Sequence, residues 1–455
     1  MAIILATTLP ACGGRRIGAL GTEGHGCTAT GSCDPGLSCF SHLCVRYDAG
    51  ASAPAGTGGG GNGVGGKGLG GNGAGGSGAG GSGMGGRGPG GDGGAVDAGG
   101  GDALADMPAS PDGRQPAQLS FAPAVSYAVG TTPWGVTIAD VDYDGSLDVV
   151  VVNLVGGTAS VLLGNGNGTL RPALTSLTGA DSDSVVAWDF NGDDHIDLAT
   201  TLAETGVSIL LGRGDGSFSP ATAVVPGTPR SIVVSDLNAD GLADLVFGNL
   251  ESGQVTVALG GGDGTFTNAF SFAAVGTPYG VGVADFDGDG RLDVAVSGGG
   301  QVGVLLGQGE GTLGAVSTFA DGTGNLQIAD FNADGVPDVV TSNYPGNTVS
   351  VLLGNRDGSL RASVQYPVGV GENIVALGDL DSDGALDIVE TNYRDGDIGV
   401  LLGNGDGTFR AVRRFATARA ARSVAIGDLD SDGRPDLAIT NSEDNQLSVL
   451  LNTSR

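Results

Sequence analysis

Hydrophobic and polar positions alternate in short blocks that recur along residues 118–455. In the first copy, the apolar segment 135–139 (GVTIA) runs into an acidic loop, and the β-branched segment 149–152 (VVVV) follows it. A third apolar segment, 160–163 (SVLL), leads into a glycine-rich turn, and a more variable fourth segment ends the unit. Short apolar runs separated by Asp, Asn and Gly are typical of β-strands joined by tight turns. The pattern therefore predicts four strands per unit and no helix.

The acidic loop carries the motif D-x-[DN]-x-D-[GD]-x-x-D, which occurs seven times at spacings of 45 to 49 residues. Its first residues are Asp140, Asp189, Asp236, Asp285, Asp330, Asp379 and Asp428. A fixed period of this length with four short strands per unit is typical of a propeller blade. The sequence therefore predicts an all-β protein with a seven-bladed β-propeller of four-stranded blades.

The two ends of the repeat region complement each other. The phrase LLGxGxGxF follows the first six acidic loops, whereas the seventh unit ends at LSVLLNTSR without an outer strand. A matching segment, 121–130 (FAPAVSYAVG), precedes the first loop. We expect this segment to complete the last blade, which would close the ring and remove both free sheet edges.

These in-register motifs resemble the FG-GAP/VCBS repeat family, whose best-known relatives are the integrin α-subunit β-propellers. The resemblance covers residues from about 118 to 452. It implies a seven-bladed propeller with calcium in the hairpin loop between the first two strands of a blade. It implies no single function, because relatives include adhesion receptors, secreted surface proteins and enzymes that carry the propeller as an accessory domain.

The loop chemistry favours calcium. Carboxylates at positions 1, 3, 5 and 9 can converge if the chain turns sharply at position 6, which is glycine in six copies and Asp194 in the second. Position 7 varies so widely in chemistry that we expect only its backbone carbonyl to bind metal, as in other calcium loops. Position 2 is always apolar and is predicted to point into the blade core. Magnesium prefers fewer protein oxygens and more water.

We predict up to seven structural Ca²⁺ ions, one per loop, against the alternative of metal-free turns whose clustered carboxylates would repel one another. The predicted ligands are Asp140, Asp142, Asp144, Ser146 and Asp148 in loop 1; Asp189, Asn191, Asp193, His195 and Asp197 in loop 2; Asp236, Asn238, Asp240, Leu242 and Asp244 in loop 3; Asp285, Asp287, Asp289, Arg291 and Asp293 in loop 4; Asp330, Asn332, Asp334, Val336 and Asp338 in loop 5; Asp379, Asp381, Asp383, Ala385 and Asp387 in loop 6; and Asp428, Asp430, Asp432, Arg434 and Asp436 in loop 7.

A ligand-binding face is predicted at the other end of the blades. The residue six positions before each first Asp should start the innermost strand near the central channel. This ring consists of Trp134, Asp183, Arg230, Tyr279, Gly324, Asn373 and Arg422. Its mixed chemistry suits sugars or a protein loop, although positions free of packing constraints would also vary. Further candidates in turns on the same side are Asn153, Asn249, Tyr344, Tyr393, Arg394 and Asp395.

The N-terminal part divides into three segments. Residues 1–12 form a signal-like segment in which Leu9–Cys12 (LPAC) resembles a bacterial lipobox, although Pro10 is unusual there and no Lys or Arg precedes the apolar run. Whether Cys12 is lipidated or the start codon is misassigned stays open. Residues 49–117 are a glycine-rich flexible linker.

The intervening segment, 13–48, is a small cysteine-rich head. Four of its cysteines fit two disulfides with three possible connectivities, and their spacing does not match a zinc ribbon. These are Cys27, Cys33, Cys39 and Cys44. Disulfides imply an oxidising compartment. We therefore expect an exported protein, either secreted or anchored at the cell surface or outer membrane as a lipoprotein.

Charge and composition argue against several classes of function. The formal charge is −30, and the loop ligands supply 25 of the 50 acidic residues, so seven divalent ions would reduce the charge to −16. Clustered Lys and Arg for nucleic-acid binding are missing, and no apolar run reaches the roughly 18 residues of a membrane span. The propeller contains one histidine, His195, and no cysteine, and no catalytic constellation was found.

We therefore expect a non-enzymatic, calcium-binding adhesion or recognition module. It would act as a monomer on an extracellular protein or polysaccharide. The alternatives are a lectin-like polysaccharide binder, an accessory domain of a polysaccharide-active enzyme, and a purely structural protein.

Overall fold

The computed structural model describes residues 38–40, 43–45, 119–179, 181–371 and 374–454. In the head, β1 (Ser38–Phe40) pairs with β2 (Leu43–Val45) in an antiparallel hairpin whose backbone register sets residue 39 opposite residue 44. The predictions for the lipobox-like segment, the glycine-rich linker and the remaining cysteines of the head fall outside the described residues.

Twenty-eight further strands form seven antiparallel four-stranded sheets, which confirms the predicted propeller. The blades are β4 (Pro133–Ala139), β5 (Asp148–Asn153), β6 (Thr158–Leu162) and β7 (Leu174–Leu177) in blade 1; β8 (Ser182–Trp188), β9 (Asp197–Leu202), β10 (Gly206–Leu210) and β11 (Thr222–Val225) in blade 2; β12 (Pro229–Ser235), β13 (Asp244–Asn249), β14 (Gln254–Gly260) and β15 (Phe266–Ala273) in blade 3; β16 (Pro278–Ala284), β17 (Asp293–Gly298), β18 (Gln301–Gly309) and β19 (Thr312–Ala320) in blade 4; β20 (Leu326–Ala329), β21 (Asp338–Asn343), β22 (Thr348–Leu352) and β23 (Val364–Pro367) in blade 5; β24 (Val375–Gly378), β25 (Asp387–Asn392), β26 (Asp397–Leu401) and β27 (Arg413–Ala416) in blade 6; and β28 (Ala421–Gly427), β29 (Asp436–Asn441), β30 (Gln446–Leu450) and β3 (Val125–Ala128) in blade 7.

The ring closes through the N-terminal strand, as predicted. β3 pairs with β30 in a register that runs from Val125 opposite Val449 to Ala128 opposite Gln446. The first strands of consecutive blades contact one another around the ring, and β28 contacts β4 across the closure. β3 therefore supplies the outer strand of blade 7, and β30 is paired on both sides.

The apolar core lies between the blades. Seven hydrophobic clusters each join two consecutive sheets, and the cluster between blades 1 and 2, for example, packs Val150 and Val161 against Leu198. The apolar residues at position 2 of the acidic loops are all buried, and each lies in the cluster between its own blade and the next. They are Val141, Phe190, Leu237, Phe286, Phe331, Leu380 and Leu429. The loop residue therefore helps hold neighbouring blades together.

Within the part of the chain that the structure describes, no helix has the length and apolar character needed to cross a bilayer.

Candidate metal loops and the central cavity

Each acidic loop joins the first and second strands of its blade, and all seven have the same internal hydrogen bonds. In loop 1, the Gly145 N–H donates to the Asp140 carboxylate at 3.0 Å, and the Ser146 N–H donates to the Asp144 carboxylate at 2.9 Å. The equivalent bonds in the other six loops are 2.7–3.0 Å and 2.8–2.9 Å long. The loops are therefore seven copies of one hydrogen-bonded turn.

Two residues of each loop have a left-handed backbone. Position 6 has φ between 76° and 88° where it is glycine, and Asp194 adopts 63°. Position 4 is also left-handed, with φ from 56° to 75°, although it is glycine only in Gly192 and Gly288. Sequence reasoning missed position 4, because residues such as Tyr143 give no signal for this conformation. The glycines of loops 2 and 4 were the available clue.

The aspartate at position 9 links the loop to the rest of its blade. One oxygen of Asp148 accepts the Val141 N–H at 2.8 Å, and the other accepts the Gly164 N–H at the end of the third strand at 2.7 Å. Both bonds recur in the other six loops at 2.7–3.0 Å. All seven side chains are fully buried. Because a carboxylate oxygen has two lone pairs, these bonds still leave capacity for a cation.

Burial makes the negative charge of these aspartates costly. Desolvation is the largest cause, and it raises the pKa of Asp387 to about 8 and that of Asp436 to about 7. The pKa of the equivalent aspartate is raised to about 6 in loops 1, 2, 4 and 5. A nearby positive charge would offset this cost.

Three carboxylates converge in the four loops that have Asp at position 3. One oxygen from each residue lies within 4.8 Å of the others. The groups are Asp140, Asp142 and Asp148; Asp285, Asp287 and Asp289; Asp379, Asp381 and Asp387; and Asp428, Asp430 and Asp436. In the other three loops, the Asn amide at position 3 donates to the position-5 carboxylate at 2.9–3.0 Å. Those loops therefore hold one negative charge fewer at the four positions.

The donor sets fit a hard divalent cation. Both carboxylate oxygens of Asp381 and one of Asp140 are buried and accept no hydrogen bond from the described residues. Leaving a buried charge without compensation is expensive, and oxygen-rich sites of this kind suit calcium. Guanidinium groups supply part of the compensation: Arg410 lies 3.8 Å from Asp381, and Arg171 lies 3.7 Å from Asp142. Each aspartate cluster can thus hold a metal ion.

A cavity of about 450 Å³ lies at the opposite end of the first strands. It is lined by six of the seven predicted ring residues, and the seventh, Asn373, falls outside the described residues. The six are Trp134, Asp183, Arg230, Tyr279, Gly324 and Arg422. Five of them are the second residue of their strand, whereas Gly324 precedes β20. Sequence spacing therefore located residues that the structure brings together.

Two arginines are positioned differently in this cavity. Arg230 forms an ion pair of 2.5 Å with Asp183, whose side chain is 1% exposed. The guanidinium of Arg422 lies 3.9 Å from the ring centroids of both Trp134 and Tyr393. Stacking of this kind holds the planar group in one orientation.

The other turn candidates have different environments. Tyr344 lines the cavity and is 41% exposed. Asn153 and Asn249 are buried, and their amides donate to Ser160 and Thr256 within their own hairpins. They stabilise turns and do not form part of the cavity wall. Asp395 accepts a hydrogen bond from Arg414 at 2.5 Å.

Six overlapping segments match the FG-GAP-like repeat family: residues 140–200, 189–247, 236–296, 285–341, 330–390 and 379–439. Together they cover well over half of the chain. The chain belongs to the FG-GAP-like repeat family. No curated protein matches this FG-GAP propeller.

Solved structures support the fold of this FG-GAP propeller. A lectin from Agrocybe aegerita that recognises non-reducing terminal N-acetylglucosamine is 23% identical, with 69% of this chain and 86% of that chain covered and a TM-score of 0.48. Virginiamycin B lyase from Staphylococcus aureus is 12% identical over 73% and 99% of the two chains, with a TM-score of 0.50. BBS1N, solved in complex with ARL6DN, is 12% identical over 73% and 96%, with a TM-score of 0.53. The second and third of these similarities indicate shared architecture only, and nothing is inferred from the first.

Proposed function

We propose that this FG-GAP propeller is a calcium-stabilised, exported cell-surface module that recognises an extracellular protein or polysaccharide without catalysing a reaction. The observation that carries the proposal is the sevenfold repetition of one acidic turn, together with the buried carboxylate of Asp381, whose oxygens accept no hydrogen bond from the described residues. Seven acidic loops, four of which bring three carboxylates together, are costly without cations and stabilising with them. A scaffold held this way suits environments rich in calcium.

Export is supported by the head and the segment before it. Five cysteines lie within the first 44 residues, and a lipobox-like sequence ends at Cys12. The glycine-rich linker would hold the propeller away from its anchor. We propose that the protein is a lipoprotein at the cell surface or outer membrane, or is secreted, and that it acts as a monomer.

We propose a non-catalytic function because the candidate catalytic side chains have unsuitable chemistry. His195, the single histidine of the propeller, lies in a surface loop, and its Nδ1 is 3.6 Å from Asp193. The clustered aspartates would be occupied as metal ligands, which makes them poor acids or bases.

A lectin-like role in binding polysaccharide is the second candidate, because an aromatic- and arginine-lined cavity lies at the other end of the blades.

Thermal melting of the full chain in millimolar calcium and in excess EDTA tests the metal assignment. At ten times the Kd, each ion would contribute about 1.4 kcal/mol, so several sites together should raise the Tm by about 10 °C or more. Magnesium at the same concentration should give a smaller shift. An identical Tm in calcium and EDTA would show that the loops are metal-free turns.

One variant pair makes this test specific. Asp381→Asn removes a carboxylate whose oxygens have no hydrogen-bond donor, so it should leave the Tm in EDTA unchanged or higher and reduce the gain from calcium. Glu251→Gln removes one exposed charge far from any acidic loop and is the matched control. Equal rises in Tm on adding calcium in the two variants would contradict a site in loop 6.

A glycan and protein screen in the calcium buffer then tests recognition, and the absence of any ligand would favour a purely structural role.

A further inference from the structure

The seven acidic loops differ in the positive charge that lies beside their carboxylates. Each of the four loops with Asp at position 3 has four carboxylates at its ligand positions and one arginine paired with the position-5 carboxylate, a formal charge of −3. These pairs are Arg171 with Asp144, Arg291 with Asp289, Arg410 with Asp383 and Arg434 with Asp432. Loops 2 and 3 have three carboxylates at these positions and no paired arginine among the described residues, so they also carry −3.

Loop 5 is the exception. It has Asn332 at position 3 and only three carboxylates, yet two arginines lie beside it. Nη2 of Arg361 lies 3.9 Å from the Asp334 carboxylate, and Nη2 of Arg356 donates a hydrogen bond to the Asp334 backbone carbonyl at 3.0 Å. Three carboxylates and two guanidinium groups leave this loop with a formal charge of −1.

Arg356 occupies a backbone position that is glycine in every other complete turn of this kind. It lies in the turn after the third strand of blade 5 and has φ of 60°. The equivalent glycines, with φ from 67° to 83°, are Gly166, Gly214, Gly262, Gly309 and Gly405. A left-handed backbone is unfavourable for a residue with a Cβ. An unfavourable conformation at a position that brings a guanidinium to loop 5 points to a role for that charge.

Arg361 is held in place by its own turn. Its Nε–H donates to the side-chain oxygen of Asn355 at 3.1 Å, and equivalent Asn–Arg pairs occur in blades 1 and 6. In those two blades the guanidinium lies beside a carboxylate at position 3, whereas in loop 5 Asn332 donates its amide to Asp334 at 3.0 Å. Blade 5 therefore has the arginine without the fourth carboxylate.

We propose that Arg356 and Arg361 supply in loop 5 the positive charge that calcium supplies in the other loops, so that blade 5 folds without an ion. The inference rests on the calcium stabilisation proposed above and specifies which loops use it. Calcium affinity in oxygen-donor sites depends on the number of charged ligands. A loop of charge −1 with two neighbouring guanidinium groups attracts a divalent cation much less than a loop of charge −3.

A matched pair of ligand substitutions tests the proposal. Native mass spectrometry of the full chain counts bound ions at the calcium concentration that just saturates the wild type, which should hold six, one for each of the other loops. Asp330→Asn in loop 5 should leave this count unchanged, whereas Asp379→Asn in loop 6 should lower it by one. The two residues are equivalent, because each accepts the position-6 N–H, at 2.7 Å and 3.0 Å. Seven ions in the wild type, or the loss of one ion in Asp330→Asn, would overturn the inference.

Substitution of the arginines tests the same assignment in the opposite direction. Arg356→Met combined with Arg361→Met should allow one additional ion to bind. In EDTA the same double variant should have a Tm lower by about 2 °C, because three carboxylates lose their neighbouring positive charges. An unchanged ion count in this variant, with folding in calcium verified by its melting curve, would contradict the role of the arginines.

Two further double variants are the controls. Arg356→Lys with Arg361→Lys keeps both positive charges and should bind as many ions as the wild type. Arg414→Met with Arg419→Met removes two charges that pair with aspartates outside the acidic loops, and it should also leave the count unchanged. An additional ion in this second control would show that overall charge, and not the two arginines at loop 5, sets the count.

This inference and the calcium proposal fail in distinguishable ways. If the wild type binds seven ions and its Tm rises in calcium, calcium stabilisation stands and only the assignment of loop 5 is wrong. If the wild type binds no ion and has the same Tm in calcium and EDTA, both proposals are wrong, because loop 5 would then not differ from the other loops.

Discussion

The two ends of the innermost strands differ in how faithfully they repeat. At the acidic-loop end, the same four kinds of hydrogen bond occur in all seven blades at nearly constant length. At the cavity end, the corresponding position is occupied by Trp, Asp, Arg, Tyr, Gly, Asn and Arg in turn. The repeated end carries interactions that every blade needs in order to fold. The varied end is free of that requirement, as the proposed recognition of an extracellular ligand would need.

Substitution of the position-9 aspartate should have the largest effect on the free energy of unfolding. A small effect would contradict the conclusion that the acidic-loop end carries interactions that every blade needs. Asp148→Ala removes the acceptor of two backbone N–H groups, those of Val141 and Gly164. Leaving two buried donors unpaired should cost about 2–6 kcal/mol even in EDTA, measured by denaturant unfolding. Asp148→Asn keeps one acceptor oxygen and should lose less. If Asp148→Ala has the same free energy of unfolding as the wild type in EDTA, the two hydrogen bonds of Asp148 do not stabilise the fold. The residue would then act only as a metal ligand.

Glu390, in the second strand of blade 6, is a charged residue at a position that is apolar or threonine in every other blade. The other blades have Val151, Thr200, Phe247, Val296, Thr341 and Ile439 at this position of the second strand. Glu390 is fully buried, and one of its oxygens accepts a hydrogen bond from Asn392 at 2.8 Å, while the other has no partner among the described residues. Desolvation is the main cause that raises its pKa from 4.5 to about 7.

This pKa predicts a pH-dependent stability of intermediate size. Because the folded pKa is above the unfolded value, the contribution of Glu390 is present below about pH 4.5 and is lost as the pH rises through 7. The difference in unfolding free energy between Glu390→Gln and the wild type should therefore shift in favour of the variant by about 2–3 kcal/mol between pH 5 and pH 8. Comparing variant with wild type cancels the titration of the acidic loops. A difference that is constant with pH would show that Glu390 stays ionised.

Much of the fold followed from the sequence because a repeat multiplies weak signals. One loop is a poor predictor, but seven in register predicted the blades, the closure by Val125–Ala128 and the ring around the cavity. Contacts between distant blades could not be predicted. Arg422 stacks on Tyr393 of the preceding blade and on Trp134, which is nearly 300 residues away in sequence, and no periodicity encodes that contact. The two backbone hydrogen bonds that Asp148 accepts were also missed, because an aspartate predicted as a metal ligand gives no separate signal for them.

The smallest expected effect on stability is that of replacing Asp194, which stands at position 6 of loop 2 where the other six loops have glycine. Asp194 has φ of 63° and is exposed, and its side chain adds a charge to an acidic loop. A left-handed conformation costs a residue with a Cβ roughly 1 kcal/mol relative to glycine, partly offset by the greater freedom of glycine in the unfolded chain. Asp194→Gly should therefore stabilise the metal-free protein by up to about 1 kcal/mol, a rise in Tm of roughly 2 °C.

The reverse change supplies the matched control for that effect. A Cβ at Gly241 would meet no atom within 4 Å, so Gly241→Ala tests backbone conformation without steric clash. It should destabilise loop 3 by roughly the same 1 kcal/mol. Opposite signs for the two variants in EDTA would show that the left-handed turn alone sets the preference for glycine. If Asp194→Gly were destabilising, the Asp194 side chain would have to contribute to loop 2, and the seven turns would no longer be equivalent.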